Sequence, residues 1–151
     1  MNAPISHAID PSLRAYLQAM ATLTPDTVAD LRPFLAEDVR YSDPFNELRG
    51  GDAFLSVFHR MFEDCIEPRF TLLDVASSGP TAYARWRMTF RPRRWPESAP
   101  WVIEGVSEIR FAADGKVAAH IDHWDAASQL YARMPLLGWL LRQLRRRLSA
   151  E

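Results

Sequence analysis

The 151-residue chain is of single-domain length and can bury a substantial core. Hydrophobic residues make up 48%, charged residues 25% and the formal net charge is −1, so no global field selects nucleic acid or an acidic substrate. No stretch reaches the roughly 20 apolar residues of a membrane span, and the opening MNAPISHAIDP has neither the basic start nor the apolar run of a secretory signal. The single Cys65 cannot form an internal disulfide, which fits a reducing cytoplasm, the expected location.

Asp10-Pro11 predicts a helix start, with Leu13, Tyr16, Leu17 and Met20 at helical spacing behind it. Thr24-Pro25 repeats the signal, and Val28, Leu31 and Leu35 predict a second helix that Pro33 ends or kinks. After Gly50-Gly51, the stripe Phe54, Val57, Phe58, Met61 and Phe62 predicts a third, with Cys65 inside the same apolar pattern.

The period then changes to two. Arg69 to Ser77 reads as a strand, Ser78-Gly79-Pro80 as a turn and Thr81 to Arg91 as the next strand. In that strand Ala84, Trp86, Met88 and Phe90 alternate with Arg85, Arg87, Thr89 and Arg91, giving one apolar and one wet face. The proline-rich loop 91–100 leads to a strand in which Trp101, Ile103, Gly105, Ser107, Ile109 and Phe111 share one phase. Asp114-Gly115 marks a hairpin turn into Val117 to Trp124. Placing Trp124 in the core turns His120 and Asp122 inward with it, and His123 outward. These patterns predict an α+β domain over residues 1–151: a cone-shaped roll of three N-terminal helices on a strongly curved antiparallel sheet, plus a C-terminal helix.

The segments LRAYLQAM, FLAEDVRYSDPFNELRGGDAF and IRFAADGKVAAHIDHWD, in this order, resemble the nuclear transport factor 2-like superfamily, which includes SnoaL-like cyclases, ketosteroid isomerases and limonene-epoxide hydrolases. The resemblance implies a cone-shaped pocket for a hydrophobic small molecule, with cofactor-free proton transfer of isomerase, cyclase or hydrolase type. On the isomerase pattern, Asp43 matches the proton-shuttling aspartate, Tyr16 falls near the oxyanion tyrosine and Ser107 takes the place of the second, acidic oxyanion donor. On the hydrolase pattern, Tyr41 and Asp43 fall on the water-holding tyrosine and asparagine, and Asp122 on one of two catalytic aspartates. The other aspartate and its arginine fall on Arg85 and Arg87, or, aligned by inward phase, on Trp86 and Met88. Neither catalytic set is complete.

The expected catalytic residues are therefore Asp43, Asp122, His120 and Tyr16, with Tyr41, Trp86, Met88, Trp101, Ser107 and Trp124 contacting substrate. Each has a plainer reading. Asp-Pro starts turns, an inward Asp122 requires a partner or neutralisation, and buried tyrosines and histidines form structural hydrogen bonds. The pattern contains no metal-ligand spacing and no phosphate-binding loop, so neither metal nor cofactor is expected. A homodimer through the wet sheet face is expected. In the tail, Leu137, Leu140, Leu141, Leu144 and Leu148 run beside Arg142, Arg145, Arg146 and Arg147. This predicts a helix packed over the sheet or pocket mouth, the alternative being contact with an anionic membrane surface or a partner helix.

Overall fold

The computed structural model describes residues 10–150. Asp10 caps the first helix, α1 (Pro11–Ala21), by accepting the Ser12 amide at 2.8 Å, and Leu13, Tyr16 and Leu17 form its buried face. The second expected helix is instead a 3-10 segment, Val28–Phe34. Pro33 supplies no amide to extend a helical ladder, and Leu35 leaves the segment extended to begin a strand. Strands β1 (Leu35–Ser42) and β2 (Glu47–Arg49) pair antiparallel. Gly50, at φ 92°, then turns the chain into α2 (Gly51–Asp64), a backbone conformation that L side chains resist. Phe54, Leu55 and Phe58 bury one face of α2.

Four longer strands follow: β3 (Cys65–Ser78), β4 (Thr81–Pro92), β5 (Trp101–Phe111) and β6 (Val117–His123). Cys65 thus opens β3 rather than closing the helix before it. Strand order in the six-stranded sheet is β2-β1-β6-β5-β4-β3, and the sheet is not closed. All pairings are antiparallel except β1 with β6, which are parallel, so the sheet is mixed rather than wholly antiparallel. The long excursion between these two strands permits this, since a parallel pair cannot be joined by a tight turn. Register shifts in β3, and a left-handed Glu67 at φ 49° beside one of them, mark bulges of the kind that bend and twist a sheet.

The inward phase of β4 and β5 is the expected one. Ala82, Ala84, Met88 and Phe90 are buried on β4, as are Trp101, Ile103, Ser107 and Ile109 on β5. The outward side chains form ion pairs in solvent: Glu104 with Arg85 and Arg87, and Glu108 with Arg110 and His123. Such pairs contribute little to stability. Strand β6 ends at His123, so Trp124 lies just beyond it, followed by a short α3 (Ala126–Gln129), a 3-10 turn and α4 (Pro135–Leu148). The expected burial of the α4 leucines is not found: Gly138 is the only buried residue of this helix. No helix among the described residues is long and apolar enough to cross a membrane.

Gly105 has a specific structural duty. It pairs with Trp86 across β4 and β5, and a Cβ built at Gly105 would lie 2.6 Å from the indole and 2.9 Å from the His123 carbonyl. The missing side chain lets the ring lie over β5 with its N–H 2.9 Å from Ser107 Oγ. Gly105→Ala is therefore expected to destabilise the fold by about 1–3 kcal/mol, the usual range for overpacking. Trp86 fluorescence should shift with it, as checked by chemical denaturation monitored at the tryptophans.

Candidate active site

The β5–β6 register sets Ser107 opposite Asp122 and Ile109 opposite His120, and the β1–β6 register sets Tyr41 beside His120. Three strands therefore bring Ser107, Asp122, His120 and Tyr41 to one place on the inner face. Above them opens a cavity of about 460 Å³, its wall predominantly apolar and including Phe58, Met61, Phe70, Trp86, Met88 and Trp101. That volume suits a small organic ligand.

Asp122 is the hub. Its side chain is 14% exposed, and Oδ1 accepts from Ser107 Oγ at 2.5 Å and from His120 Nε2 at 2.9 Å, while Oδ2 accepts from the Tyr41 hydroxyl at 3.1 Å. Trp86 in turn donates to Ser107, so the serine hydroxyl both receives and gives a hydrogen bond. Burial pushes the Asp122 carboxyl up. His120 opposes it, by charge whenever the imidazole holds a second proton and by its hydrogen bond, and the Ser107 and Tyr41 hydroxyls add to this. The net direction is down.

Behind His120 lies Tyr16, fully buried, its hydroxyl 2.7 Å from Nδ1. Burial, and then the Asp122 charge, hold the Tyr16 phenol well above its ordinary pKa, so it remains a donor. If Tyr16 donates to Nδ1, then Nε2 carries the imidazole proton and donates to Asp122. This assignment uses every proton in the chain Tyr16–His120–Asp122. Tyr41 packs nearly parallel to the His120 ring, with centroids 5.7 Å apart. Its hydroxyl also lies 3.0 Å from Asp43 Oδ2, so one phenolic proton stands between two carboxylates. Burial and both negative charges raise the Tyr41 phenol and keep that proton in place.

The sequence-derived residues thus separate into groups. Tyr41, Asp43, Trp86, Met88, Trp101, Ser107, His120, Asp122 and Trp124 all reach the cavity wall. Tyr16 does not: it lies behind His120 and can act on a ligand only through that imidazole. Asp43 combines both of its readings. Its Oδ1 accepts the Phe45 and Asn46 amides at 2.7 and 2.8 Å in a turn, and its other oxygen reaches Tyr41. Trp86 and Met88 line the cavity, whereas Arg85 and Arg87 point outward to Glu104, so inward phase is the alignment that applies. Sequence reasoning did not single out Cys65 and Asn46 as wall residues. Asn46 donates through Nδ2 to both Asp43 oxygens, each at 3.0 Å; its place three residues after an Asp-Pro turn start was the available signal.

Two measurements follow. A carboxyl whose folded pKa lies below its unfolded value of about 3.9 stabilises the fold above that pH, and the stabilisation is lost as pH falls through the folded value. The melting temperature should therefore fall below about pH 4, and Asp122→Asn should flatten part of that acid slope in thermal melts. Burial also pushes the Cys65 thiol up to about 11. Alkylation by iodoacetamide at pH 7.5 should consequently run about tenfold or more slower than that of a free thiol near 8.5, and accelerate as pH rises.

The SnoaL-like domain model matches residues 13–120, most of the chain and all of the site except Asp122 and Trp124. No curated relative matches the sequence. Solved structures with the same fold include a protein provisionally designated a SnoaL-like polyketide cyclase from Shewanella putrefaciens CN-32. It is 17% identical, with 82% of this chain and 98% of that one covered and a TM-score of 0.66. Another, from Agrobacterium tumefaciens str. C58, is provisionally designated an isomerase of the SnoaL-like family, at 19% identity, 76% and 94% coverage and a TM-score of 0.61. A protein with a ketosteroid isomerase-like fold from Catenulispora acidiphila DSM 44928, in complex with trimethylamine, gives 14% identity, 82% and 92% coverage and a TM-score of 0.67. At these identities the structures establish the fold alone, while the extent of the domain match establishes the family: the chain belongs to the SnoaL-like domain family.

Proposed function

We propose that the protein binds an apolar, carbonyl-bearing small molecule in its cavity and moves a proton on it without a cofactor, Asp122 acting as the base. The observation that carries this reading is a carboxylate that three side-chain donors hold at the wall of an apolar chamber. Oδ2 has one side-chain donor, Tyr41, against two on Oδ1, and so has room to take a proton from a ligand. Tyr41 and Asp43 form the exit for that proton, since the Tyr41 hydroxyl touches both carboxylates. Trp101 and Trp124 line the chamber and add aromatic surface for an apolar substrate.

The donors around Asp122 narrow the substrate class. A carboxylate that accepts three hydrogen bonds is a weakened base, so the proton it removes must already be acidic. A carbon flanked by two carbonyls meets that need, because its conjugate base spreads the charge over both oxygens. The designation of one structural neighbour as a polyketide cyclase agrees with such a substrate. Hydrolysis by a paired arginine and aspartate is less well supported, because Trp86 and Met88 stand on the cavity side of β4. A second reading, a non-catalytic ligand-binding module, is favoured by one observation: Asp122 is already satisfied by three side chains without any ligand.

Deuterium exchange separates the two. With an aryl β-keto ester in D2O at pH 6, the wild-type protein should accelerate exchange at the central carbon over buffer. Asp122→Asn should retain the fold and quenching of tryptophan fluorescence by the ester, and lose the acceleration by about 100-fold or more, the usual scale for a general base. Binding without acceleration by the wild type would leave the binding module; equal acceleration by the variant would remove Asp122 from the chemistry.

A further inference from the structure

Helix α4 is an amphipathic basic segment whose apolar side is exposed along its whole length. Leu136 is 84% exposed, Leu137 43%, Leu140 48%, Leu144 46% and Leu148 82%. At 100° per residue these five fall within one third of the helix circumference, a stripe that Arg147 alone interrupts, near its C-terminal end. The opposite flank packs on the short segments that precede the helix. Gly138 packs so closely on the Ala132 carbonyl that no side chain fits there, and Arg145 hydrogen-bonds Ser128. The stripe thus faces solvent while the other flank is occupied. The helix also lies outside the residues 13–120 matched by the family model.

Charge identifies the occupant. From Ala126 to Ala150 the chain has five arginines, at 133, 142, 145, 146 and 147, and no acidic residue. The first half of α4, Pro135–Leu141, is uncharged, and the second half contains four of those arginines around Leu144. A second copy of this chain is a poor partner, because pairing two stripes would gather eight helix arginines with no helix carboxylate among them. Nucleic acid would neutralise the arginines and leave five leucines in water. A surface with anionic headgroups over an apolar layer satisfies both halves at once. Fourteen residues give a helix of about 21 Å, too short for a hydrocarbon core of about 30 Å, so the helix lies in the plane of the interface.

We propose that α4 docks the protein on an anionic lipid surface, with its leucines seated among the headgroups and its arginines on lipid phosphates. The cavity wall includes Leu130 and Met134, the latter immediately before α4, so docking would set this side of the cavity against the membrane from which an apolar ligand could enter. The docking itself rests on α4 alone and holds whether or not the cavity is catalytic.

Cosedimentation of the full chain with vesicles tests it. On phosphatidylcholine containing 30% phosphatidylglycerol at 100 mM NaCl the protein should pellet with lipid. Partitioning should be at least about tenfold weaker on pure phosphatidylcholine, and should weaken on the anionic vesicles at 500 mM NaCl. Leu140→Asp/Leu144→Asp, and separately Arg142→Gln/Arg146→Gln/Arg147→Gln, should each lower partitioning by about tenfold or more with unchanged circular dichroism melts. Absence of binding to anionic vesicles would overturn the proposal, as would equal binding to both compositions. A dimer in sedimentation velocity that the leucine variant alone converts to monomer, with no lipid binding, would assign the stripe to a second copy instead.

Discussion

A carboxylate taken out of water must be compensated on the spot, and the inner face of this protein is organised around that requirement at Asp122. An unpaired buried charge costs several kcal/mol, enough to consume much of a small domain's net stability. Here Ser107, His120 and Tyr41 surround the group. Each of those partners has its own obligations. Ser107 accepts from Trp86, whose indole lies over β5 because residue 105 has no side chain. His120 needs a partner for Nδ1 and finds it in Tyr16, which fixes α1 against β6. A single charge thereby constrains three hydroxyls, an imidazole, an indole and a glycine, borne on α1 and on strands β1, β4, β5 and β6.

The same arrangement leaves the site chemically poised. The hydroxyls and imidazole favour the charged carboxylate, while the wall around it is apolar and offers a ligand little competition from bound polar groups. Tyr41 links this carboxylate to Asp43, which is held by its own turn just after β1. On the proposed function, a ligand's proton taken up by Asp122 would find a second acceptor one hydroxyl away. The fold provides the chamber, and the proposed chemistry rests on these particular side chains.

Much of this was legible in the sequence. The alternation on β4 and β5, the Asp114-Gly115 turn and the choice to place Trp124 inward put His120, Asp122 and Ser107 on one face, which is where they lie. What stayed hidden depends on tertiary geometry. Tyr16 has the spacing of a core residue, and only the docking of α1 determines that it meets the far nitrogen of His120 rather than a ligand. The parallel β1–β6 pairing joins segments about 80 residues apart, beyond any local pattern. Periodicity predicted a helix through Leu35 where Pro33 and the extended backbone after it produce a 3-10 segment and a strand. For α4 the stripe was visible, but an amphipathic pattern states only that a helix has an apolar side, not that the domain covers it.

The hydrogen-bond chain Tyr16–His120–Asp122 is the element on which the account stands, and the position of one proton tests it directly. Long-range 15N–1H correlation spectra of the imidazole, assigned with a His120→Gln variant, report which ring nitrogen is protonated. The account predicts a proton on Nε2, facing Asp122, and an unprotonated Nδ1 that accepts from Tyr16. A spectrum with the proton on Nδ1 would reverse the Tyr16 bond, leave Nε2 without a hydrogen to give a carboxylate, and contradict it.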